Sequence, residues 1–321
     1  MNDIIKEWKI FLTENLKESD QVDVLLARIS DILSNECPII LDLEHLSLLS
    51  GISYEVLKSM IAAPRSFYRE FTIPKRSGGK RCICAPYASL LEVQRWINLH
   101  VLSKVLISEY CHAYVQSRSI ISHAKNHLNK KAILKVDIAN FFTAIKLPRI
   151  VNVFIALGYE NKVAYFLASL CCLGSSLPQG SASSPALSNI VSRRMDKRLY
   201  GLALKYRLDY SRYADDMVFS GEYIPHKLVH TISEIIQTEG FKLNDGKTRL
   251  IYGSGKKIIT GISVSGDRLK LPKSTKRELR KEAYMVQKHG FLNHTAKIGN
   301  NNPLYIEQLK GKFNFWKQVE P

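Results

Sequence analysis

The 321-residue sequence has no uninterrupted apolar run of the roughly 18 residues that a membrane-spanning helix needs. It also lacks internal repeats, low-complexity tracts and the basic-then-apolar start of a signal peptide. Its six cysteines form no Cys-x-x-Cys pair and no histidines cluster at zinc spacing, so neither a disulfide framework nor a structural metal is predicted. We expect a folded cytoplasmic protein whose thiols are reduced and mainly buried.

Acidic residues are few, since 29 Asp and Glu stand against 46 Lys and Arg and give a net charge of +17. The distribution is uneven: residues 1–50 hold 10 acidic and 4 basic side chains, whereas residues 242–321 hold 17 basic and 6 acidic. A basic body suits a phosphate-rich ligand, because neutralising phosphates releases counterions. Charge alone leaves two interpretations open, which are nucleic-acid binding and general solubility.

The N-terminal region is predicted to be helical. Apolar side chains recur at the spacing of a helix face in residues 1–34. Residues 45–57 then have the pattern of a helix, a turn at Gly51, a cap at Ser53 and a second helix. This pattern resembles a helix-turn-helix, but the second helix carries few basic residues, which favours a packed helical hairpin over a DNA-binding motif.

Short strands are predicted from Phe71 onward. The segment FTIPKRSGGKRCICAP has two strand-like runs joined by a Gly-Gly turn, which indicates a β-hairpin. Its tip is basic, with the cationic residues Lys75, Arg76, Lys80 and Arg81. The residues alone leave two interpretations open, a grip on a triphosphate or template backbone and an ordinary solvated loop.

Three aspartates lie on or beside predicted strands. Residues 132–138 alternate in polarity, so Leu134 faces the core and Asp137 lies on the opposite, open face. Asp215 and Asp216 fall at the tip of a tight hairpin between LDYSR and MVFSG. Each aspartate alone is more typical of a salt bridge, a cap or a turn. Three carboxylates together are what a two-metal phosphoryl-transfer site requires, with two Mg²⁺ ions about 3.5–4 Å apart.

A loop of small residues separates these acids in the sequence. The run LPQGSASSP, residues 177–185, has Gly180 for close backbone approach and Pro185 for the first turn of a following helix. A loop of this kind can pack against a nucleotide, and Gln179 offers a positioning amide. A plain loop with a helix cap is the other interpretation.

Six segments, taken in order, resemble the successive motifs of reverse transcriptases. They are FTIPKRSGGKR (71–81), LKVDIANFF (134–142), LPQGSASSP (177–185), YADD (213–216), GFKLNDGKT (240–248) and ITGISV (259–264). Their joint occurrence in this order is too specific for coincidence. Within that superfamily the chain is most similar to the bacterial retron reverse transcriptases, and its length fits them without a maturase, endonuclease or RNase H domain.

The resemblance implies a role for each matching residue. Asp137, Asp215 and Asp216 are implied to bind two catalytic Mg²⁺ ions, and Lys247 to lie near the leaving pyrophosphate as a general acid. An ordinary phosphate-facing lysine would give the same sequence. The implied nucleotide-binding residues are Lys75 or Arg76 with Arg81 for the triphosphate, Phe142 as the aromatic gate that selects dNTPs, and Gln179 for the sugar or template.

Two retron signatures are partly present. The family's Asn-Ala-x-x-His motif appears as HAKNH at residues 123–127, and its Val-Thr-Gly appears as ITG at residues 259–261. His123 departs from the family's Asn, which changes the hydrogen-bonding geometry at that position. The matching residues, which are implied to bind RNA, are Ala124, His127, Thr260 and Gly261.

The C-terminal segment resembles a polymerase thumb by position. Its own pattern predicts a helix that starts near Ser274 and carries a row of cations, for which we expect contacts with an RNA stem or an RNA:DNA duplex. These cations include Lys276, Arg277, Arg280 and Lys281. A second helix from about Pro303 carries aromatic side chains that are more typical of a core than of base stacking.

The predicted fold is α+β, a right-hand polymerase with a helical N-terminal extension (1–62), fingers and palm (63–266) and a helical, RNA-binding thumb (267–321). The implied activity is RNA-directed DNA polymerisation on a cognate noncoding RNA of msr-msd type, primed from the 2′-hydroxyl of an internal guanosine. The implied product is branched RNA-linked single-stranded DNA (msDNA). The implied role is anti-phage defence together with an effector protein, and no membrane partner is expected. The alternatives are a reverse transcriptase of another bacterial lineage (group II intron, diversity-generating or abortive-infection type) and a non-catalytic RNA-binding scaffold.

Overall fold

The computed structural model describes residues 2–16, 19–75, 78–253, 255–297, 299 and 302–321. The chain forms two compact units from interleaved segments. The first unit comprises Met1–Glu109, Ile138–Lys197 and Ser233–Lys242. The second comprises Tyr110–Asp137, Arg198–Ile232 and Leu243–Pro321. The linear domain boundaries after residues 62 and 266 stay predictions.

Helices and short strands alternate irregularly along the described residues, the pattern of an α+β protein. The helices are α1 (Asn2–Asn15), α2 (Ser19–Ser34), α3 (Leu43–Ser50), α4 (Tyr54–Ala62), α5 (Ala88–His100), α6 (Ile120–Lys125), α7 (Phe141–Ala144), α8 (Leu147–Ile155), α9 (Asn161–Cys171), α10 (Ser184–Val191), α11 (Arg193–Lys205), α12 (Lys227–Thr238), α13 (Lys273–His289), α14 (Phe291–Lys297) and α15 (Tyr305–Val319). The strands are β1 (Tyr68–Pro74), β2 (Lys80–Pro86), β3 (Ala132–Asp137), β4 (Asp209–Tyr213), β5 (Asp216–Gly221), β6 (Arg249–Ile251), β7 (Ile258–Ile259) and β8 (Ile262–Ser263). Among the described residues, no helix is long and apolar enough to cross a membrane.

The predicted N-terminal helices are confirmed as α1 to α4. Helix α3 is capped by Asp42, whose carboxylate accepts a hydrogen bond from the His45 backbone N–H at 2.7 Å. The helix ends at Gly51, which takes the left-handed conformation that glycine adopts without strain. Helices α1 and α2 share a small apolar cluster around Leu12 and Ile29. The segment 45–57 is thus a pair of short helices, as the sequence predicts.

The second unit is built on a four-stranded antiparallel sheet in the order β4-β5-β3-β6. Strand β3 is central, and both of its faces are buried: Ile133 and Leu134 are each fully inaccessible. The expectation that Asp137 lies on an open face is wrong, because only 5% of this residue is exposed. Ile133 belongs to a core cluster that also contains Leu279 of α13 and Leu309 of α15.

Candidate active site

Two aspartates face each other across neighbouring strands of this sheet. Strands β3 and β5 are antiparallel, and their register pairs Asp137 directly with Asp216. Side chains at such a pair share one face, with Cβ atoms about 4.5–5.5 Å apart. Asp215 precedes Asp216 in the two-residue turn between β4 and β5, where Tyr213 pairs with Asp216. The three carboxylates therefore converge at one end of the sheet.

The turn that carries Asp215 is held by a buried cation. Its first residue, Ala214, has a φ of +56°, which is uncommon for a residue with a Cβ atom and carries strain of order 1 kcal/mol. The guanidinium of Arg212, a fully buried residue, donates a hydrogen bond from Nη1 to the Ala214 carbonyl at 3.1 Å. This bond fixes the strained turn and, with it, the direction of the adjacent carboxylates.

Asp137 is oriented by two side chains from one downstream segment. Lys247 donates from Nζ to Oδ1 at 2.8 Å, and Asn244 donates from Nδ2 to Oδ2 at 2.9 Å. The backbone N–H of Asn244 also donates to the Asp137 carbonyl at 2.8 Å. Lys247 remains 55% exposed while contacting this buried carboxylate. Sequence reasoning missed Asn244, although the Asn-Asp-Gly turn signal within GFKLNDGKT marks its position.

Crowding of like charges changes the acidity of the site. Burial, followed by the charge of Asp215 and then that of Asp137, raises the pKa of Asp216 from 3.8 to about 6, against the opposing effects of Lys135 and Lys247. The hydrogen bond to Asp137 raises the pKa of Lys247, which keeps its ammonium protonated. Clustered carboxylates are the ligands that Mg²⁺ prefers, and their mutual repulsion is what a divalent cation relieves. The residues present therefore fit a Mg²⁺ site.

A buried network of imidazoles and hydroxyls joins β4 and β5, the two strands on either side of the turn that carries Asp215. His127 contacts Ser220 of β5 through Nδ1 and Ser211 of β4 through Nε2, both at 2.7 Å. The Ser211 hydroxyl also contacts His123 Nδ1 at 2.7 Å. All four residues are fully buried. His127 thus acts as a bridge between β4 and β5.

This burial bears on the predicted RNA contacts. Ala124 and His127 are completely inaccessible, so in this conformation neither side chain can touch RNA. His123, the residue that differs from the family's Asn, is equally buried, and its Nε2 atom has no hydrogen-bond partner. Within the HAKNH segment, His123, Ala124 and His127 therefore belong to the interior of the second unit, whereas Lys125 and Asn126 are exposed.

Burial also keeps the network uncharged. It lowers the pKa of His127 to about 3, and it lowers the pKa of the neighbouring His112 to about 4. For His123, burial together with the charge of His127 lowers the pKa well below its ordinary value. A neutral imidazole has one donor and one acceptor nitrogen, which is what a bridge between two hydroxyls requires.

The residues predicted to bind the nucleotide lie in the first unit. Strands β1 and β2 form the predicted hairpin, on which Lys75 and Arg81 are exposed and Arg81 pairs with Ile73. Arg76 lies outside the described residues. Phe142 is half-buried in α7, with its ring centroid 5.5 Å from that of Phe141.

The small-residue loop is packed directly on the hairpin. The Cys84 backbone N–H donates to the Gln179 carbonyl at 2.8 Å. A Cβ atom at Gly180 would lie 2.7 Å from the Cys84 carbonyl oxygen, and its φ of +128° also disfavours other residues. Gly180 thus allows the close backbone approach that the sequence predicts, and the neighbour that it approaches is β2.

A buried glutamine anchors the rest of this loop, and sequence reasoning gave no signal for it. Gln94 of α5 is fully inaccessible. Its Nε2 donates to the Tyr68 hydroxyl at 2.8 Å and to the Leu170 carbonyl at 2.9 Å. Its Oε1 accepts from the Ser181 hydroxyl at 2.9 Å and from the Ala182 N–H at 3.2 Å. One side chain therefore satisfies four groups, and two of them, at Ser181 and Ala182, belong to the loop.

We expect Gln94→Leu to lower the free energy of unfolding by about 2–4 kcal/mol, because it leaves several buried partners unpaired without opening a large cavity. Urea denaturation measures this change. The matched control is Gln237→Leu at an exposed position of α12, which should change stability by less than about 0.5 kcal/mol. Equal effects of the two substitutions would contradict the anchoring role.

Thr260 and Gly261 form the tip of a second hairpin. They join β7 to β8, and their φ angles of +44° and +86° are those of a tight turn in which both central residues are left-handed. A β-branched residue is strained there, and the Thr260 hydroxyl is buried without a partner. Two unfavourable features at one residue are typical of a functional position.

We expect Thr260→Gly to raise the free energy of unfolding by about 1 kcal/mol by relieving this strain. If Thr260 also contacts RNA, the same variant binds RNA more weakly. Urea denaturation and an RNA-binding titration measure the two effects separately. A loss of stability would show that the threonine conformation is not strained.

The cations of the predicted thumb helix are divided between two roles. Arg277, Arg280 and Lys281 of α13 are exposed. Lys276 instead forms a salt bridge: its Nζ lies 3.1 Å from a Glu320 carboxylate oxygen, and only 20% of its side chain is exposed. Lys276 is therefore the least available of the four for a phosphate.

The sequence model of the family described as reverse transcriptase (RNA-dependent DNA polymerase) matches residues 73–289. Retron Mx65 reverse transcriptase of Myxococcus xanthus is 35% identical over 246 residues, which cover 69% of this chain and 58% of that enzyme. Retron Ec86 reverse transcriptase of Escherichia coli is 29% identical over 287 residues, covering 88% and 86%. A solved telomerase from Candida albicans, in complex with a fragment of telomeric RNA, is similar at 14% identity and a TM-score of 0.45 over 85% of this chain and 60% of that one.

The family match confirms the predicted polymerase fold class, since residues 73–289 include the hairpin β1–β2, the four-stranded sheet and α13. The same segment holds Asp137, Asp215 and Asp216. The chain belongs to the reverse transcriptase (RNA-dependent DNA polymerase) family, and its relatives there include bacterial retron reverse transcriptases.

Proposed function

We propose that this protein is an RNA-directed DNA polymerase that copies a cognate noncoding RNA of msr-msd type into branched, RNA-linked single-stranded DNA. The observation that supports this most is the convergence of three carboxylates: Asp137 pairs across the sheet with Asp216, and Asp215 is adjacent. Phosphoryl transfer requires such a cluster to hold metal ions at the reacting phosphate. The retron relatives support the more specific RNA substrate.

Asp137, Asp215 and Asp216 would hold two Mg²⁺ ions. When bound, Mg²⁺ lowers the pKa of an attacking hydroxyl and neutralises charge on a pyrophosphate leaving group. Asn244 and Lys247 hold the Asp137 carboxylate at both oxygens, so this ligand is oriented before substrate arrives. The raised pKa of Lys247 makes it a weak acid, which favours charge stabilisation at the pyrophosphate over early proton donation.

In this proposal the first unit selects the nucleotide. Lys75 and Arg81 are exposed on the β1–β2 hairpin and carry charge suited to a triphosphate. Phe142 is the proposed gate against ribonucleotides. Gln179 offers an amide to the sugar or template, and its own carbonyl is fixed by β2.

The proposed RNA partner suits the charge of the C-terminal segment. Residues 242–321 hold 17 basic and 6 acidic side chains, and Arg277, Arg280 and Lys281 are exposed on one helix. Such a helix can follow a duplex through phosphate and 2′-hydroxyl contacts. We extend the proposal to priming from the 2′-hydroxyl of an internal guanosine and to anti-phage defence with an effector protein, on the basis of the retron resemblance.

The deciding experiment is to express the protein with its native flanking DNA and to analyse the nucleic acid that co-purifies. The expected result is a short single-stranded DNA joined to RNA by a link that a debranching enzyme cleaves, absent from an Asp215→Asn control. If the wild type extends an added primer on RNA but carries no branched DNA, the polymerase assignment stands and retron priming is overturned. Biological activity that survives in an Asp216→Asn variant without DNA synthesis would instead support an RNA-binding scaffold.

A further inference from the structure

A second group of metal-ligating side chains lies on the β1–β2 hairpin of the first unit. Glu70 of β1 pairs directly with Cys84 of β2, and Cys82 lies two residues before Cys84 on the same face of the strand. The two sulfur atoms and a Glu70 carboxylate oxygen all lie within 4.8 Å of one another. The sequence showed only a Cys-x-Cys pair, because the glutamate comes from the partner strand.

This face of the hairpin is open to solvent and is not the face that meets the small-residue loop. Glu70 and Cys82 are exposed, and Cys84 is half-buried. Ile83 lies on the opposite face, where a Cβ atom at Gly180 would lie 3.0 Å from its Cγ2. Arg81, the residue proposed to bind the triphosphate, lies on the same face of β2 as Ile83. An ion held by the two cysteines would therefore lie on the opposite face of the hairpin from Arg81.

We propose that Glu70, Cys82 and Cys84 form a zinc site. Two thiolates and a carboxylate, with water in a fourth position, are a tetrahedral ligand set that zinc accepts, with Zn–S about 2.3 Å and Zn–O about 2.0–2.2 Å. That geometry needs ligand atoms about 3.4–3.8 Å apart, so the three groups have to approach by at most about 1 Å. Side-chain rotation on an exposed hairpin supplies such a movement. Thiolates select zinc over Mg²⁺, which prefers oxygen ligands.

Metal binding at this cluster is coupled to the release of protons. Burial, then the neighbouring Cys82 and Glu70, raise the pKa of the Cys84 thiol to about 11. Zinc binding displaces the thiol protons to solvent and attracts the resulting thiolates and the Glu70 carboxylate to one ion. The site therefore takes up metal with release of protons and loses it in acid.

The site would also connect the hairpin to the loop that holds Gln179. The backbone N–H of Cys84 is the donor that binds the Gln179 carbonyl. A metal that ties Glu70 to Cys84 clamps β1 to β2 at this residue. Zinc binding should thus raise the thermal midpoint of the protein as well as giving a spectroscopic signal.

The test is a Co²⁺ titration of the full-length, reduced protein in an excess of Mg²⁺, which occupies the aspartate site. The expected result is one equivalent of Co²⁺ bound with a near-ultraviolet thiolate-to-cobalt charge-transfer band, bleached by one equivalent of Zn²⁺. Carboxylate or phosphate ligation gives no such band, so the signal separates this site from the polymerase site. A reduced, folded wild type that gives no thiolate band would overturn the proposal.

Matched variants assign the ligands. Cys82→Ser and Cys84→Ser should each remove half or more of the band, and the double variant should remove all of it. Glu70→Gln should weaken Co²⁺ binding by at least about tenfold while retaining the band at high metal. Asp137→Asn should leave the titration unchanged. A band that persists in the folded double variant would assign the metal to other thiols and refute the site.

Discussion

An Asp216→Asn variant should lose DNA synthesis and yet be more stable than the wild type. Synthesis falls because removing one metal-binding carboxylate costs several kcal/mol of transition-state stabilisation, or at least about a thousandfold in rate. Stability rises because Asp216 is charged at neutral pH despite burial and the nearby charges of Asp215 and Asp137, which together raise its pKa to about 6. The neutral amide removes this repulsion. We expect a gain of about 1–3 kcal/mol at pH 8.

The gain should depend on pH in a defined direction. A carboxyl group whose folded pKa is raised contributes stability fully below its unfolded value, 3.8, and loses it as the pH rises through the folded value of about 6. The advantage of the Asn variant is therefore largest above pH 6 and disappears near pH 4. Urea denaturation at pH 8 and at pH 4.5, beside primer extension on an RNA template, measures both effects. Asp267→Asn, at an exposed position, is the matched control and should change neither quantity.

An inactive Asp216→Asn variant without a gain in stability would show that the three carboxylates do not repel one another in the free protein. An active variant would remove Asp216 from the metal site altogether. The two readouts thus test the arrangement and the chemistry independently.

The second large effect is expected at His127, whose imidazole bridges β4 and β5. His127→Gln should lower the free energy of unfolding by about 2–4 kcal/mol, because a shorter amide cannot reach both Ser211 and Ser220 and leaves a buried hydroxyl unpaired. Urea denaturation at pH 7.5 measures this loss. His289→Gln, at an exposed position of α13, is the matched control.

The histidine network should also make the protein sensitive to acid. Burial lowers the pKa of His127 to about 3 and of His112 to about 4, whereas the unfolded chain binds protons from its ordinary value of 6.5 downward. The stability that the neutral imidazoles contribute is complete above pH 6.5 and is lost as the pH falls below that value. Each such histidine adds a slope of about 1.4 kcal/mol per pH unit. His127→Gln should remove one histidine's share of the slope between pH 6.5 and 5, and an unchanged slope would contradict its burial as a neutral group.

A direct RNA contact at His127 predicts a different result. If His127 only bridges the two strands, the His127→Gln protein should bind RNA with wild-type affinity. The comparison is made at a temperature where this variant is fully folded. A specific loss of RNA affinity in the folded variant would restore the RNA-binding prediction.

The parts of the site that the sequence predicted are those set by local pattern. Turn chemistry places Asp215 and Asp216 in a tight hairpin, and strand alternation places Asp137 on a strand, without reference to distant residues. What alternation could not show is that the second face of β3 is buried, because the residues that share a core cluster with Ile133 or contact Asp137, such as Leu309 and Lys247, come from far along the chain. The mistaken open face of Asp137 follows from that.

The residues that sequence reasoning missed act through long-range contacts. Gln94 reaches its partners Leu170 and Ser181 across 76 and 87 residues. A glutamine within an otherwise amphipathic helix gives no local indication of such a role. The sequence motif identified His127 but implied that it contacts RNA at the surface. A motif alone does not show whether a residue is buried.

The interleaved order of the second unit has a consequence for how the enzyme is made. Strand β3 emerges from the ribosome long before its neighbours, since β5 begins at Asp216 and β6 at Arg249. The Lys247 partner of Asp137 is separated from it by 110 residues. Until β5 and β6 have been synthesised, β3 is therefore an apolar strand with both edges unpaired. This is the state most prone to aggregation. Asp137 can meet Asp215 and Asp216 only when most of the chain has been translated, so the nascent protein lacks the carboxylate cluster and depends on slow, non-local pairing to form it.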